Sequence, residues 1–485
     1  MNQAKNPPPE QERYPGEGAG GSGRVAHERE PAHPPEALTT IDEQGRRKWV
    51  YPAPVTGWFK RWRRVLGSFL IALYLVLPWL KVGGMQAVLL QIPERRFILF
   101  GNIFMPQDIF YLVFLLFGLA LALFFFTAVM GRIWCGWMCP QTVYMEEVFR
   151  RIEELIEGDH HARRKLDESP WDFNKTWRKG LKHSLFLLVC AVIANTFIAY
   201  FVPVEQLLHW IVAPPLNHPV AFTIMLSVLL VFYFDFAWFR EQFCAVVCPY
   251  ARFQAALTDQ FTIQVGYDTV RGEPRGKMGT TSGDCINCNR CVAVCPTGID
   301  IRDGFQMECI GCSRCIDACD AIMDRVKRPR GLVRMDSLAR LNGQQTHIIR
   351  PRVIIYSILL VGAIIALVVG LRQRTQLDLT ITRPPGDPYQ IISGRMISNS
   401  FGMRLYNRNQ ETTTYHIELG GSDDATLIAP INPVTLGPKE IKMLMIFVQI
   451  PVGSLHHAKT PLILKIKRDG LLVTEKPTTF LAPQK

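Results

Sequence analysis

Eight cysteines occur in two runs with the same spacing, C-x-x-C-x-x-C-x-x-x-C, and the second run begins 24 residues after the first. The eight residues are Cys285, Cys288, Cys291, Cys295, Cys309, Cys312, Cys315 and Cys319. In this arrangement three thiolates of one run hold a 4Fe-4S cluster, and the fourth reaches across to the other cluster. The sequence therefore predicts two 4Fe-4S clusters and a protein that carries electrons one at a time.

The rule that the fourth thiol of each run binds the other cluster assigns every thiol to one of the two clusters. The predicted sets are Cys285, Cys288, Cys291 and Cys319 for the first cluster, and Cys309, Cys312, Cys315 and Cys295 for the second. A zinc site is the alternative, but zinc favours pairs of C-x-x-C hooks over runs of four thiols. The runs differ in one respect, because Pro296 follows the first and Asp320 follows the second. This difference leaves the predicted number of clusters unchanged, but it affects the expected geometry of the loop that holds the second cluster.

A second cysteine motif, C-x-x-x-C-P, also occurs twice. Residues 134–140 read Trp-Cys-Gly-Trp-Met-Cys-Pro, and residues 243–249 read Phe-Cys-Ala-Val-Val-Cys-Pro. Each copy follows a long apolar segment, which indicates an internal duplication of a membrane hairpin. If the backbone is helical, the two thiols of each copy lie one turn apart on one face. The prolines mark where the helix ends or restarts.

Two related hairpins would bring four thiols together at the membrane boundary, namely Cys135, Cys139, Cys244 and Cys248. Four soft sulfur ligands suit Cu(I), zinc or an iron–sulfur centre. Buried cysteine is also a common small residue at helix contacts. The duplication favours ligation for these four thiols, whereas a solitary cysteine, Cys190, is expected to serve packing.

The elements that position these thiols are predicted from hydropathy. The chain has 485 residues, 48% hydrophobic residues and a mean hydropathy of +0.10, and its apolar residues form blocks of about the length that a bilayer requires. The predicted spans cover about residues 65–81 (with an extension toward residue 90 left open), 108–130, 184–204, 219–239 and 353–371. The net charge of +12 comes from Lys and Arg beside these blocks, which indicates membrane topology rather than nucleic-acid binding.

Loop charges predict the orientation in a bacterial inner membrane. Residues 131–182 contain ten Lys and Arg, whereas residues 205–218 contain none. The positive-inside tendency then places the N-terminus and both cluster loops in the cytoplasm, and the C-terminal region in the periplasm. The region after the fifth span contains no cysteine, which agrees with clusters confined to a reducing compartment.

Composition predicts the remaining domains. The N-terminal residues are rich in Pro, Gly, Glu and Arg and contain no apolar run, so we expect a disordered arm without a cleavable signal peptide. About seven short alternating runs after residue 374 predict an all-β immunoglobulin-like sandwich. The predicted domains are an arm (1–48), a four-helix membrane domain (49–250), a ferredoxin-like insert (251–350), a fifth transmembrane helix (351–373) and the periplasmic sandwich (374–485).

One further segment has two interpretations. The run Val148–Ile156 is amphipathic, with Arg150 and Glu153 among its polar residues. It would lie along the inner membrane surface or form an ordinary loop helix.

The order of these parts resembles the FixG/RdxA family, also known as the CcoG family of cytochrome c oxidase accessory proteins. Besides the cysteine motifs, the strings that carry the resemblance lie at 41–45 (Ile-Asp-Glu-Gln-Gly), 104–108 (Phe-Met-Pro-Gln-Asp) and 404–409 (Arg-Leu-Tyr-Asn-Arg-Asn). It implies a cupric reductase that converts Cu(II) to Cu(I) for maturation of cbb-type cytochrome c oxidase. The four C-x-x-x-C-P thiols would then be the catalytic residues that hold copper.

Two other functions stay open. The C-x-x-x-C-P motif is also similar to that of membrane ferredoxins, which implies electron transfer between quinol or a cytoplasmic donor and another redox partner without copper. The third possible function is an oxidase assembly scaffold.

No glycine-rich nucleotide fingerprint occurs, so we expect an external electron donor. The expected partners are inner-membrane lipid, that donor and copper-delivery or oxidase assembly proteins, with no nucleic acid; the sequence leaves monomer or homodimer open.

Overall fold

The computed structural model describes residues 40, 47–105, 108–277, 283–372, 376–392, 395–409, 411–455 and 457–483. Most of the predicted arm, residues 1–39 and 41–46, lies outside the described residues. Arg47 does not behave as part of a free arm, because it pairs with Glu241 at 3.0 Å and stacks on Trp49.

The described residues of the first half of the membrane region form six α-helices and five short strands. In chain order they are α1 (Trp58–Val76), β1 (Lys81–Val82), β2 (Met85–Gln86), β3 (Val88–Gln91), β4 (Arg96–Leu99), β5 (Asn102–Phe104), α2 (Ile109–Met130), α3 (Ile133–Trp137), α4 (Pro140–Tyr144), α5 (Arg150–Glu157) and α6 (His160–Glu168). A π-helical turn, Met145–Phe149, joins α4 to α5. Strands β3, β4 and β5 form one antiparallel sheet.

The first helix differs from its prediction at both ends. It begins at Trp58 rather than near residue 65, because two residues of the basic cluster lie buried within it: Lys60 pairs with Glu147 at 2.6 Å, and Arg63 lies 3.8 Å from Glu146. The extension toward residue 90 is wrong. A 3₁₀ turn at Leu77–Trp79 ends the helix, and the chain continues as short strands.

The second half of the membrane region repeats the hairpin. It comprises α7 (Phe173–Ala199), α8 (Val204–Val212), α9 (Pro219–Phe234) and α10 (Pro249–Leu257), with π-helical turns at Asp235–Phe239 and Phe243–Val247. The third span starts eleven residues before its predicted start and ends at Ala199 instead of near residue 204. Its early turns carry Lys175 and Lys182, whose side chains are buried, so hydropathy alone missed them.

The ferredoxin-like insert follows α10. Its elements are β6 (Ile263–Tyr267), α11 (Thr269–Gly272), α12 (Arg290–Ala293), α13 (Arg314–Arg325), β7 (Val333–Ser337) and α14 (Leu338–Leu341). Strands β6 and β7 pair antiparallel. Ile301, Ile316 and Met323 form much of the buried core beneath them.

A last long helix, α15 (Pro351–Arg372), leads away from the insert. It packs against α2, and the Tyr111 hydroxyl at the start of α2 donates to the Gly370 carbonyl near the end of α15 at 3.2 Å. The two helices are therefore antiparallel. Among the described residues, five helices are long and apolar enough to cross a membrane: Trp58–Trp79, Ile109–Met130, Phe173–Ala199, Pro219–Phe239 and Pro351–Arg372.

The C-terminal region is a two-sheet β-sandwich. Its strands are β8 (Leu377–Thr382), β9 (Gln390–Ile392), β10 (Met396–Asn407), β11 (Thr413–Gly420), β12 (Thr426–Ile428), β13 (Val434–Leu436), β14 (Ile441–Pro451), β15 (Lys459–Arg468) and β16 (Leu471–Leu481). One sheet has the order β12-β14-β10-β8 with β9 beside β10, and the other has the order β13-β11-β15-β16. Phe401, Tyr415 and Phe480 are fully buried between them. The described residues of this sandwich form nine strands rather than about seven, since β12 and β13 have only three residues each and were not predicted.

The sandwich docks on the membrane region at the end opposite the insert. Arg408 of the loop after β10 contacts the carboxylate of Asp108, just before α2, at 2.9 and 3.0 Å. Tyr406 joins a buried cluster with Leu89 and Ile98 of the small β3–β5 sheet. The spans therefore separate the insert from the sandwich.

Candidate metal centres

The two ferredoxin-like runs have left-handed residues at the same two positions. Asn287 and Asn289 in the first run have φ of 54° and 53°, and Gly311 and Ser313 at the equivalent positions of the second have φ of 65° and 60°. Left-handed residues between right-handed ones form concavities of backbone N–H groups that bind anionic groups, iron–sulfur clusters included. The backbone N–H groups of both runs, like their thiols, are therefore suited to binding a cluster.

The first of two small cavities in the insert is bordered by one set of four thiols. These are Cys285, Cys288, Cys291 and Cys319. Tyr267, Met323 and Leu332 supply apolar walls, and Arg302 also borders the cavity. Burial raises the pKa of the Cys291 thiol to about 11 and that of Cys319 to about 12, with smaller contributions from neighbouring groups. Such thiols stay protonated at neutral pH until a metal displaces the proton.

The second cavity is bordered by the other predicted set. Its thiols are Cys295, Cys309, Cys312 and Cys315, with Cys291 of the first set also on its wall. The two cavities are therefore adjacent. Burial, followed by neighbouring thiols, raises the pKa of Cys315 well above its ordinary value.

Asp320 follows the second run where proline follows the first, and the two segments differ in structure at this point. After the second run, α13 continues through Cys319 to Arg325, and the Asp320 carboxylate accepts a hydrogen bond from the Gly331 backbone N–H at 2.9 Å. In the first run α12 already ends at Ala293, two residues before Cys295. Without proline the second run is followed by regular helix, and its fourth thiol, Cys319, borders the first cavity.

The C-x-x-x-C-P motifs are not continuous helices, so the condition on which the predicted one-turn spacing of their thiols depended is not met. Cys139 and Cys248 have extended backbones, with ψ of 125° and 111°, and each stands immediately before a short helix whose first residue is proline. The cause is local, because a residue before proline is driven out of the helical region. In both motifs the N–H of the second cysteine donates to the carbonyl five residues earlier, at 3.0 Å to Trp134 and 2.9 Å to Phe243.

The four thiols of these motifs, Cys135, Cys139, Cys244 and Cys248, nevertheless come together; we call them the thiol quartet. Every pairing among them is close enough for one thiol to influence the ionisation of another. Burial raises the pKa of Cys135 to about 11 and also raises the pKa values of Cys139 and Cys244, and the neighbouring thiols add to the effect. All four are half-buried.

The duplication extends beyond the cysteines. Gly131 and Arg240 each lie four residues before the first thiol of a motif, and their φ, ψ values are 54°, −130° and 51°, −122°. Arg240 holds this rare conformation although it has a side chain. Residues in such conformations concentrate at functional sites, as do π-helical turns, two of which flank Arg240.

The second run of the insert lies directly against the first motif. A Cβ added to Gly136 would be 2.8 Å from the Cα and N of Cys312, and one added to Gly311 would be 3.2 Å from the carbonyl carbon of Arg132. Both contacts join backbone to backbone. The predicted quartet and the second predicted cluster set are therefore neighbours with no side chain between these segments.

Buried ion pairs hold this contact. Glu146 is 4% exposed and accepts from Arg314 at 2.5 Å and from Arg150. Burial alone would raise the pKa of Glu146, but its cationic neighbours outweigh burial and hold that pKa well below its usual range. The prediction that Val148–Ile156 lies along the membrane surface is wrong, because Arg150 and Glu153 are buried and paired.

Among the described residues, no group of three or more His, Cys, Asp or Glu side chains is spaced to hold a single metal ion. Cys190 is fully buried in an aromatic cluster with Phe149 and Phe186, away from both runs, in agreement with a packing role.

Sequence reasoning missed several residues of this site. Asp317 accepts hydrogen bonds from the backbone N–H groups of Phe59 and Lys60 at 3.2 and 2.7 Å, so a residue between two cluster thiols caps the first membrane helix. Gln254 is fully buried and its Oε1 lies 3.4 Å from the Cys135 sulfur. The position of Gln254 five residues after Pro249 carried no recognisable signal.

Comparison with known proteins agrees with this architecture. Residues 112–165 match the 4Fe-4S binding domain, residues 239–338 the 4Fe-4S dicluster domain, and residues 367–483 the immunoglobulin-like fold at the C-terminus of FixG. Protein RdxA of Cereibacter sphaeroides is 38% identical over 389 residues, covering 77% of this chain and 82% of RdxA. The chain belongs to the FixG/RdxA family.

Other relatives of this family member extend over similar lengths. Protein RdxB of the same organism is 36% identical over 82% of this chain and 88% of RdxB, and nitrogen fixation protein FixG of Rhizobium meliloti is 31% identical over 85% and 88%. A crystal structure of a FixG-related protein from Vibrio parahaemolyticus aligns with 22% of this chain and 97% of its own, at 14% identity and a TM-score of 0.21.

The predicted family and fold class are confirmed, and the two 4Fe-4S domain matches support iron–sulfur clusters as cofactors. This FixG/RdxA family member is an iron–sulfur electron-transfer protein with five candidate membrane helices.

Proposed function

We propose that this protein is a cupric reductase that converts Cu(II) to Cu(I) and supports copper insertion into cbb-type cytochrome c oxidase. The single observation that carries the proposal is the backbone contact between Gly136 and Cys312, which sets the thiol quartet against the second cluster set. The clusters, when bound, supply one electron at a time, which is what the reduction of Cu(II) requires.

The ligand assignments that go with this function follow the cavities. Cys285, Cys288, Cys291 and Cys319 would hold the first cluster, and Cys309, Cys312, Cys315 and Cys295 the second. The quartet would bind the copper substrate. Thiolates prefer Cu(I) to Cu(II), so binding there favours the reduced ion.

Location and partners complete the proposal. The excess of Lys and Arg in the loops on the side of the insert supports an orientation in a bacterial inner membrane with the insert in the cytoplasm and the sandwich in the periplasm. A cytoplasmic donor would supply electrons at the insert, and copper-delivery or oxidase assembly proteins would receive the product.

The test uses purified protein that is reduced without oxygen and then mixed with Cu(II). Cluster re-oxidation and Cu(I) formation are followed together. We expect them to proceed in step in the native protein, and Cys135→Ser with Cys139→Ser to abolish Cu(I) formation while retaining eight irons per chain, as two cubanes require. Cys190→Ala is the matched control and should behave as the native protein does. Unchanged copper reduction in the double variant would rule out the quartet as the copper site.

A second function has an observation in its favour. The 4Fe-4S binding domain match at 112–165 includes Cys135 and Cys139 but none of the eight ferredoxin-like thiols. The quartet would then hold a further iron–sulfur centre, and the protein would pass electrons to another redox partner. Iron content above eight per chain that falls to eight in Cys244→Ser would support this function over copper reduction.

A further inference from the structure

A buried arginine links the quartet to the insert. Arg132 follows α2 and is 7% exposed. Its guanidinium donates through Nη1 to the Met307 carbonyl, two residues before Cys309, and through Nη2 to the Ala251 carbonyl in α10. One side chain therefore ties the second ferredoxin run to the helix that follows the second C-x-x-x-C-P motif.

The charge of this arginine is placed among thiols of both sites. The groups within its electrostatic reach are Cys135 and Cys244 of the quartet, Cys309 of the second cluster set and, with the smallest effect of the four, the Glu308 carboxylate. Arg132 and Cys244 also border one small cavity together with Met307. The Nε–H group of Arg132 is buried without a hydrogen-bond partner among the described residues, so the guanidinium has donor capacity left for an anionic neighbour.

The duplicated motif supplies an internal comparison. Glu241 lies three residues before Cys244, as Arg132 lies three residues before Cys135. Glu241 is neutralised by Arg47 at 3.0 Å and Arg150 at 3.6 Å. The two equivalent positions therefore carry side chains of opposite charge. Arg132 supplies a positive charge where the first motif meets the insert.

We propose that Arg132 is a positioning residue that couples the two sites electrostatically, because its buried cation stabilises negative charge on both the second cluster set and the thiol quartet. A nearby cation favours the more negative, reduced state of a redox centre, and the effect is strong where water is excluded. The inference rests on the proposed one-electron function but not on copper as the substrate.

The experiment is a redox titration of the holoprotein followed by electron paramagnetic resonance, with iron content measured in parallel. Arg132→Gln should retain eight irons and make reduction of one cluster about tenfold less favourable, which is about 59 mV for one electron. Arg132→Lys, which keeps the charge, should stay within about threefold of the native protein. Arg302→Gln is the matched control, because Arg302 borders the first cavity. It should shift the other cluster and leave unchanged the one that responds to Arg132.

Several outcomes would overturn the proposal. If Arg132→Gln keeps full iron content and native cluster potentials, the charge of Arg132 does not influence the clusters. If Arg132→Gln and Arg302→Gln shift the potential of the same cluster, the effect is not local. If Arg132→Gln loses iron, Arg132→Lys decides: native iron and potentials support the proposal, and loss of iron there as well would reduce Arg132 to a structural tie. None of these readouts involves copper. A shifted potential in a protein that does not reduce Cu(II) would uphold the coupling and reject only the cupric reductase function.

Discussion

Gly136 and Cys312 touch through their backbones: a Cβ on Gly136 would lie 2.8 Å from both the Cα and the N of Cys312, and 2.6 Å from the Ile310 carbonyl oxygen. Arg63 of α1 donates to the Gly136 carbonyl at 2.7 Å and fixes the segment from its other side. The duplicated position is Ala245, so this close approach belongs to the first motif. The insert therefore lies directly against the membrane region at this glycine.

Gly136→Ala should loosen this contact. The atoms that the new methyl group would meet are backbone, which cannot rotate away, and overpacking of this kind costs about 1–3 kcal/mol. We expect a lower Tm for the detergent-solubilised protein and faster proteolysis of the insert. Gly118→Ala in α2 is the control, because nothing lies within 4 Å of its Cβ position. Equal melting of the two variants would mean that the contact is looser than described.

Asp317→Asn should destabilise the docking of α13 on the start of α1. The Asp317 carboxylate accepts from two N–H groups of the first helical turn, where an anion also interacts favourably with the helix dipole. Asparagine keeps one acceptor oxygen but turns an amide NH2 group toward the second N–H, so part of a cap that is worth about 1 kcal/mol in full is lost. The loss is measured as a shift in Tm. Asp324→Asn on the same helix is the control, because Asp324 forms an exposed pair with Arg330 and such pairs contribute little. A larger loss in the control would refute the capping role.

Acid should weaken the buried charge network. Burial raises the pKa of Glu153, but Arg240, Lys182 and Arg163 outweigh it and lower that pKa to about 2, from an ordinary 4.5. A depressed carboxyl pKa stabilises the fold fully above the unfolded value, and the contribution is lost as pH falls from about 4.5 toward 2. At about 1.4 kcal/mol per pKa unit the loss amounts to about 3 kcal/mol.

The measurement is Tm against pH over that interval. Glu153→Gln should be less stable at neutral pH, since it leaves buried cations unpaired, and its Tm should depend less on pH. The control is Glu418→Gln, which removes an exposed partner of Lys467 and should keep the native slope. A native slope in Glu153→Gln as well would assign the acid sensitivity to other carboxyls.

Much of this architecture follows from local pattern. Uniform apolar composition was enough to place the fourth and fifth spans almost to the residue, and alternation found the long strands of the sandwich. Helix and strand positions of this kind depend on neighbours within a few residues of one another. The assignment of the cysteines to two clusters stays a prediction, and each predicted set borders one of the two cavities in the insert.

What could not be predicted depends on distant partners. The early start of α1 needs Lys60 and Arg63 to be neutralised by Glu147 and Glu146, more than 80 positions later. Asp317 caps a helix that begins more than 250 residues before it. A charge that would be excluded from a buried helix becomes acceptable once its partner is in place, and hydropathy has no access to that partner.

The pair Arg408–Asp108 should govern attachment of the sandwich to the membrane region. Asp108 is 5% exposed, and its carboxylate accepts from Arg408 and, at 3.1 Å, from the Met105 N–H. Removal of one partner of a buried pair costs about 3–5 kcal/mol, chiefly because the other charge is left unpaired. Arg408→Gln should therefore lower Tm strongly and speed proteolytic release of residues 376–483.

A double-mutant cycle separates this pair from general damage. Asp108→Asn combined with Arg408→Gln removes both charges of this pair and leaves Asp378, the other carboxylate that contacts Arg408 at 3.2 Å, without its cation. The double variant should still be more stable than the sum of the two single losses implies. Arg468→Gln within the same sandwich is the control, since Arg468 pairs with exposed Asp469 and should change Tm little. Strictly additive losses would show that the two side chains act independently, and the docking would then depend on the apolar contact of Tyr406 with Leu89 and Ile98.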